Sequence, residues 1–307
     1  MTGQHTEVLS PLNVAALWPQ LRRLSTEVIA TRPTDPLHLR AGLAATGVGN
    51  LPLMPRTTVI GLRDGLTYHG IVVCRQLAGG AAWEAVSLRI QRDKDDETVE
   101  ALLQAAAGAA AERGGRTLFV RYADGIPYED TFRKAGLIAY AREQLFAPPQ
   151  DEEDEAAPGT PFRPAGRADR PGVFRLYCHA MPEVIRRNEA ITQQEFRAVL
   201  DLRGCTSEYV LDNEVDGLDG WVGAGESEAH LMVLGPGSAR SAVDLVRAIL
   251  PASGTLVVCE HQESALHIAS EAGFAPLGIR VLAARRLAAL NPLKEALAVP
   301  ATPRVPN

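Results

Sequence analysis

Runs in which apolar residues are contiguous or alternate are spaced along the whole chain, and helical periodicity fills the intervals between them. TTVIGLR, HGIVVCRQL and AWEAVSLRI are rich in β-branched and aliphatic residues. The turns Asp64-Gly65 and Gly79-Gly80 separate them, so they predict a three-stranded meander. DETVEALLQAAAGAAAERGG has apolar positions at helical spacing and stops at Gly114-Gly115, which predicts one long helix. TLFVRY predicts a buried strand, IPYEDTFRKAG a short helix and LIAYAREQLF a last strand. Upstream, VAALWPQLRRLSTEVIA puts Leu17, Leu21, Leu24 and Ile29 near one helical face, with Pro19 starting or kinking the helix. DPLHLRAGLAA predicts a second helix, capped by Asp35 with Pro36 at its first position.

The same order then returns. GVFRLY predicts a strand. PEVIRRNEA and TQQEFRAVLDL predict helices, the latter opened by Thr192 with Glu195 three residues on. SEYVLD, GLDGWVGAG and EAHLMVLG predict strands, SARSAVDLVRAIL a helix, GTLVVCE a strand, QESALHIASEAG a helix and GIRVLAARRL a strand. Thr117 and Thr255 open the most similar stretches, TLFVRYADGIPYEDTFRKAGL and TLVVCEHQESALHIASEAGF. Antiparallel strands followed by a helix-crossed pair make a mixed α/β sheet, here in two copies. The division expected is a first domain over 1–147, an acidic Pro/Gly-rich linker over 148–172, a second domain over 173–290 and a tail over 291–307.

Composition narrows the function. The 307 residues are 46% hydrophobic and 22% charged, enough for two cores. The formal net charge of −6 and the scattered arginines exclude a nucleic-acid partner. Cys74, Cys178, Cys205 and Cys259 lack metal-type spacing and read as free thiols, which suits a reducing compartment. MTGQHTEVLS has no secretory pattern, and no apolar run reaches membrane-spanning length; the expectation is a cytoplasmic protein with no membrane partner and no metal. Walker, GxGxxG, HExxH, CxxC and GxSxG patterns are all missing.

Two local signatures accompany the element order. A strand ends Leu88-Arg89-Ile90, or Leu231-Met232-Val233, before a long helix. A short helix runs into Ala135-Gly136-Leu137, or Ala272-Gly273-Phe274, before a last strand. In these features the chain resembles the GNAT family of N-acetyltransferases. The resemblance implies two GNAT-like acyl-CoA N-acyltransferase folds in tandem. It also implies acetyl-CoA as co-substrate, a small-molecule amine as acceptor, and a pseudo-dimer of the two halves or a homodimer. Acetyl-CoA would lie where two parallel strands splay, its pyrophosphate on a glycine-rich loop at a helix N-terminus.

The first half departs from that loop. IQRDKDDETVEALL has no glycine, and Asp95, Asp96 and Glu97 stand at the helix start, where carboxylates satisfy the dipole and repel phosphate. The second half has GPGSARSAVDLV, short but small and donor-rich. The resemblance places cofactor-binding groups at Leu231, Val233, Leu234, Gly235, Gly237, Ser238, Ala239, Arg240 and Ser241, with Gln262 on the following helix. A Pro-Gly turn with a serine cap is the competing structural reading. The family's tyrosine acid is replaced by Phe132 and Ala269, with Tyr128 one turn earlier. Glu84, Glu228 and His230 are the candidate proton acceptors, and Glu228 is the nearest equivalent of Glu84. Each also reads as an ordinary strand residue. Two functions stand: an N-acetyltransferase, or the same fold kept as a binding module without catalysis.

Overall fold

The computed structural model describes residues 4–9, 17–30, 57–92, 95–149, 160–213 and 217–288. The helix expected over DPLHLRAGLAA lies outside them. The first half contains β1 (His5–Val8), β2 (Thr26–Ala30), β3 (Thr57–Asp64), β4 (Thr67–Gln76), β5 (Ala82–Ile90), α1 (Asp96–Glu112), β6 (Thr117–Ala123), α2 (Glu129–Lys134) and β7 (Ile138–Ala147). The second contains β8 (Arg163–Pro164), α3 (Arg170–Ala180), α4 (Glu183–Glu189), α5 (Gln193–Arg203), β9 (Ser207–Asp212), β10 (Leu218–Ala224), β11 (Glu228–Val233), α6 (Pro236–Ile249), β12 (Thr255–Cys259), α7 (Glu263–Glu271) and β13 (Ala275–Arg286).

Among the described residues, thirteen strands form one mixed sheet in the order β1-β3-β4-β5-β6-β13-β7-β12-β11-β10-β9-β8, with β2 paired to β5 off this path. The centre of that order is an exchange. β13, the last strand of the second half, pairs antiparallel with β6 and β7, and β7 pairs antiparallel with β12. Each half's last strand is therefore a member of the other half's sheet. One face of the first half packs on α1 and α2 around Trp83, Leu88, Leu102 and Phe132. One face of the second packs on α6 and α7 around Leu231, Val233, Val243 and Ala269. A third core spans the seam, where Leu77 and Phe119 of the first half meet Tyr177, Phe196 and Trp221 of the second.

Two sequence expectations fail locally. Residues 17–30 are not one helix: Trp18–Arg23 is a 3-10 turn, and Thr26–Ala30 is strand β2. Leu17, Leu24 and Ile29 are all buried, so inward patterning was present, but Pro19 and the β-branched Thr26, Val28 and Ile29 turn the chain from helix to strand. GVFRLY is helical, within α3, which has a proline in its first turn and buries Val173, Leu176 and Tyr177 at i, i+3 and i+4. The expected linker is shorter than drawn, because Arg163 and Pro164 already pair with β9 and α3 begins at Arg170.

Candidate functional site

Each half has a pair of parallel strands that part company. β5 and β6 pair from Ala82↔Thr117 to Ala85↔Val120, and the four residues of β5 beyond Val86 have a different neighbour. β2 lies there, antiparallel, from Thr26↔Ile90 to Ala30↔Ser87, and it also touches β6. Val28 and Ile29 are buried in the core beside it. The first gap is thus closed by the chain itself. α1 begins with Asp95, whose carboxylate accepts from the Thr98 amide at 3.3 Å, followed by Asp96 and Glu97. Glu84 is fully buried: its Oε1 accepts from Arg121 at 2.6 Å and its Oε2 from Arg75 at 2.8 Å. Arg75 continues to Asp201 on α5 at 3.0 Å, so Glu84 anchors an ion cluster that ties the two halves together.

In the second half β11 and β12 pair from Glu228↔Thr255 to His230↔Val257 and then separate. No backbone strand enters this gap among the described residues. One side chain does: Gln262 Oε1 accepts from the Val233 amide at 2.9 Å, while its Nε2 donates to the Ala180 carbonyl at 3.3 Å. Period-two alternation puts the Leu231 amide on the same edge as that of Val233. The Leu234 amide faces the other way, to the Asp219 carbonyl. β11 then runs into α6, whose N-cap Gly235 supplies no side-chain cap. The space around Gly235 and Gly237 is open. Gly237 and Ser238 fall in the first turn, where amides have no intrahelical acceptor. Ser241 is half-buried one turn on.

Two residues assigned to this loop are placed elsewhere. Ala239 is fully buried in the core under α6, and its amide already donates to Gly235. Arg240 pairs with Glu271 of α7 at 2.8 Å, which directs its guanidinium to a neighbouring helix.

At the apex of the gap stands His230, 3% exposed. Its Nε2 lies 3.3 Å from Glu228 Oε2, but without hydrogen-bonding geometry, and that nitrogen has no hydrogen-bond partner. Glu228 Oε1 accepts from Arg280 at 2.8 Å, and Arg280 also pairs with Glu143 at 2.9 Å. Burial lowers the His230 pKa despite the nearby carboxylates, so the imidazole is neutral at neutral pH. Burial opposes the charge of Glu228, yet His230 and Arg280 hold its carboxyl well below the usual range. Register corrects one expected equivalence. Thr117 and Thr255 are counterparts, so the counterpart of Glu84 is His230, and that of Glu228 is Ala82.

Sequence reasoning did not single out Glu143 or Arg280; the available signal was a charge in the middle of each last strand, at the same distance after Ala-Gly. Phe132 packs edge-on to Tyr122, and Ala269 is buried, so neither helix presents a proton donor at the tyrosine position. Burial pushes the Cys74 and Cys259 thiols up to about 12, which leaves them poor nucleophiles. Among the described residues no cluster of His, Cys, Asp and Glu is arranged to hold a metal, and no helix is long and apolar enough to cross a membrane.

This architecture, two runs of a splayed mixed sheet, is that of the GCN5-related N-acetyltransferases. A tandem GNAT protein from the clavulanic acid biosynthesis pathway superposes with a TM-score of 0.51 over 92% of this chain and 98% of its own, at 14% identity. A GCN5-related N-acetyltransferase from Sphaerobacter thermophilus gives a TM-score of 0.53 over 92% of this chain and 95% of its own, at 10% identity. No protein-family model and no curated protein matches the sequence. The chain has the GNAT acyltransferase fold.

Proposed function

We propose that the second half binds acetyl-CoA in the gap between β11 and β12 and transfers its acetyl group to the amine of a small molecule in the cytoplasm. The contrast between the two gaps carries this reading. The first is filled by β2 and followed by a helix capped with carboxylates. The second is entered by a single glutamine side chain and followed by a helix whose N-terminus is uncapped and open.

The acetyl donor supplies an activated thioester, and the chain's own groups do the rest. The Val233 amide, beyond the last β11–β12 pair, polarises the carbonyl oxygen once Gln262 swings aside. The amine attacks the carbonyl carbon, a C–N bond forms and the C–S bond breaks. His230 accepts the proton released by nitrogen, because its ring is neutral and stands beside the Glu228 carboxylate. The Glu228 carboxylate beside it stabilises the imidazolium, and the same proton returns to the departing thiolate. Glu228 itself is held too acidic to act as the base.

A second reading rests on Gln262, which already satisfies the Val233 amide, and on Ala269, which occupies the acid's position. In that reading the fold binds a ligand and performs no transfer. Isothermal titration with acetyl-CoA, on the wild type and on Ser238→Asp, separates the two. Binding that weakens at least about tenfold, roughly 1.4 kcal/mol, in the variant supports the transferase. No heat up to about 1 mM, a binding energy weaker than about 4.1 kcal/mol, sinks it.

A further inference from the structure

A cavity of about 530 Å³ opens on the seam between the halves, at the opposite end of β5 from its gap. That volume suits a small metabolite. Its walls are the Gly79 turn, Arg116 and Phe119 from the first half, Glu189 and Glu195 from the second, and Arg286 at the end of the exchanged β13. None of these residues belongs to the β11–β12 gap, so the inference stands whether or not acetyl-CoA binds there.

The charges are sorted by depth. Glu189 is 5% exposed. Tyr140 donates to its Oε1 at 3.3 Å and Tyr177 to its Oε2 at 3.2 Å, both long for hydroxyl donors. Arg203 approaches only to 3.5 Å. Burial pushes the Glu189 carboxyl up despite Arg203. The Glu189 side chain is 1% exposed, so a ligand ammonium reaches its carboxylate by displacing one of these long contacts.

Arg116 and Arg286 are exposed at the mouth. Thr117 Oγ1 accepts from Arg286 at 2.9 Å, and the Arg187 carbonyl accepts a second bond, so that guanidinium is held in place. Glu195 is the cap of α5, its Oε2 accepting from the Ile191 and Thr192 amides at 2.9 and 3.2 Å. A phosphate would meet the buried carboxylate, and a polyamine would meet the two guanidiniums. A molecule with an ammonium at one end and a carboxylate at the other satisfies both.

We propose that this cavity binds a free zwitterion of the amino-acid class, its ammonium on Glu189, its carboxylate between Arg116 and Arg286, and its carbon chain along Phe119. The test uses glycine, β-alanine, 4-aminobutanoate and L-lysine as probes, with butylamine and butanoate as controls, each at about 10 mM in thermal-shift and titration experiments on the full chain. At least one zwitterion is expected to raise Tm while both controls do not. Arg116→Ala, a change at an exposed side chain, should weaken that binding at least about tenfold, and Glu189→Gln should do the same. Absence of any zwitterion effect overturns the proposal, as does binding of equal strength in a folded Arg116→Ala variant.

Discussion

The guanidinium of Arg280 and the carboxylate of Glu143 lie 2.9 Å apart in the middle of the sheet, and each is the other's counterpart in the repeat. Both stand at the same distance after an Ala-Gly pair, and the two strands place them directly opposite. The pair therefore sits on the pseudo-two-fold axis. A dimer of identical chains would put like beside like at that point. Two copies in one chain can differ, and here they differ in the sign of the charge.

Removing one member should be costly. Arg280→Ala leaves Glu143 buried without its principal counter-ion, and the expected loss is about 3–5 kcal/mol of unfolding free energy. The double variant Arg280→Met with Glu143→Leu should recover only part of it, because Glu228 also loses its arginine partner. Urea denaturation of the singles and the double gives the coupling directly.

Acidification should weaken the protein in two stages. His230 has a folded pKa below its unfolded value near about 6.5, so the unfolded state takes up the proton first and stability starts to fall as pH drops through that value. Glu143 and Glu228 are also depressed, Glu143 because Arg280 and its neighbours outweigh burial. Their stabilisation is complete above the unfolded carboxylate value near about 4.3 and is lost as pH falls towards the folded values. Denaturant titrations from pH 8 down should show both stages, roughly around those two values. His230→Asn should abolish the first and shrink the second, because His230 also helps to depress Glu228 and Glu143.

Ligand stoichiometry reads the state of the two gaps. With β2 in the first, acetyl-CoA should saturate at one equivalent per chain. A second equivalent of comparable affinity would show that β2 yields its place. Ile29→Ala, at a fully buried position on β2, should cost about 2–5 kcal/mol in urea denaturation, since that side chain fills core.

A smaller effect tests local structure. Thr192 Oγ1 accepts from the Glu195 amide at 3.3 Å, and Glu195 Oε2 accepts from that of Thr192 at 3.2 Å. Thr192→Ala should cost about 1 kcal/mol by urea denaturation. Thr192 and Glu195 both line the seam cavity, but neither is among the groups that hold the zwitterion, so the same variant should leave its affinity within about twofold, roughly 0.4 kcal/mol.

Much of this fold could be read from residue pattern. The β3–β5 meander and α1 with its Asp95 cap follow from β-branched runs and helical spacing, both local signals. The partners of β7 and β13 do not. Side-chain pattern reports which face of a strand is buried and not which strand lies beside it, so IAYAREQLF gives no hint that its neighbour comes from the other half. β2 is hidden for a related reason: TEVIA is short, and the leucines before it continue a helical phase that Pro19 interrupts. In the site, Gly237 and Ser238 lie inside the first turn of α6, which begins at Pro236, rather than before it, because Gly235 takes the N-cap position. Arg240 is directed away from the loop, because Glu271 on a separate helix captures it, and no spacing along the chain reports a contact of that kind.

The exchange of β7 and β13 also changes what the covalent connection between the halves is for. Neither half owns a complete sheet, and severing the chain within 150–159 would leave each fragment holding a strand that only the other can seat. Such fragments, produced together, should assemble as an obligate heterodimer whose formation depends on concentration, whereas the intact chain closes on itself at any dilution. The tether sets local concentration; the shape is written in the strands.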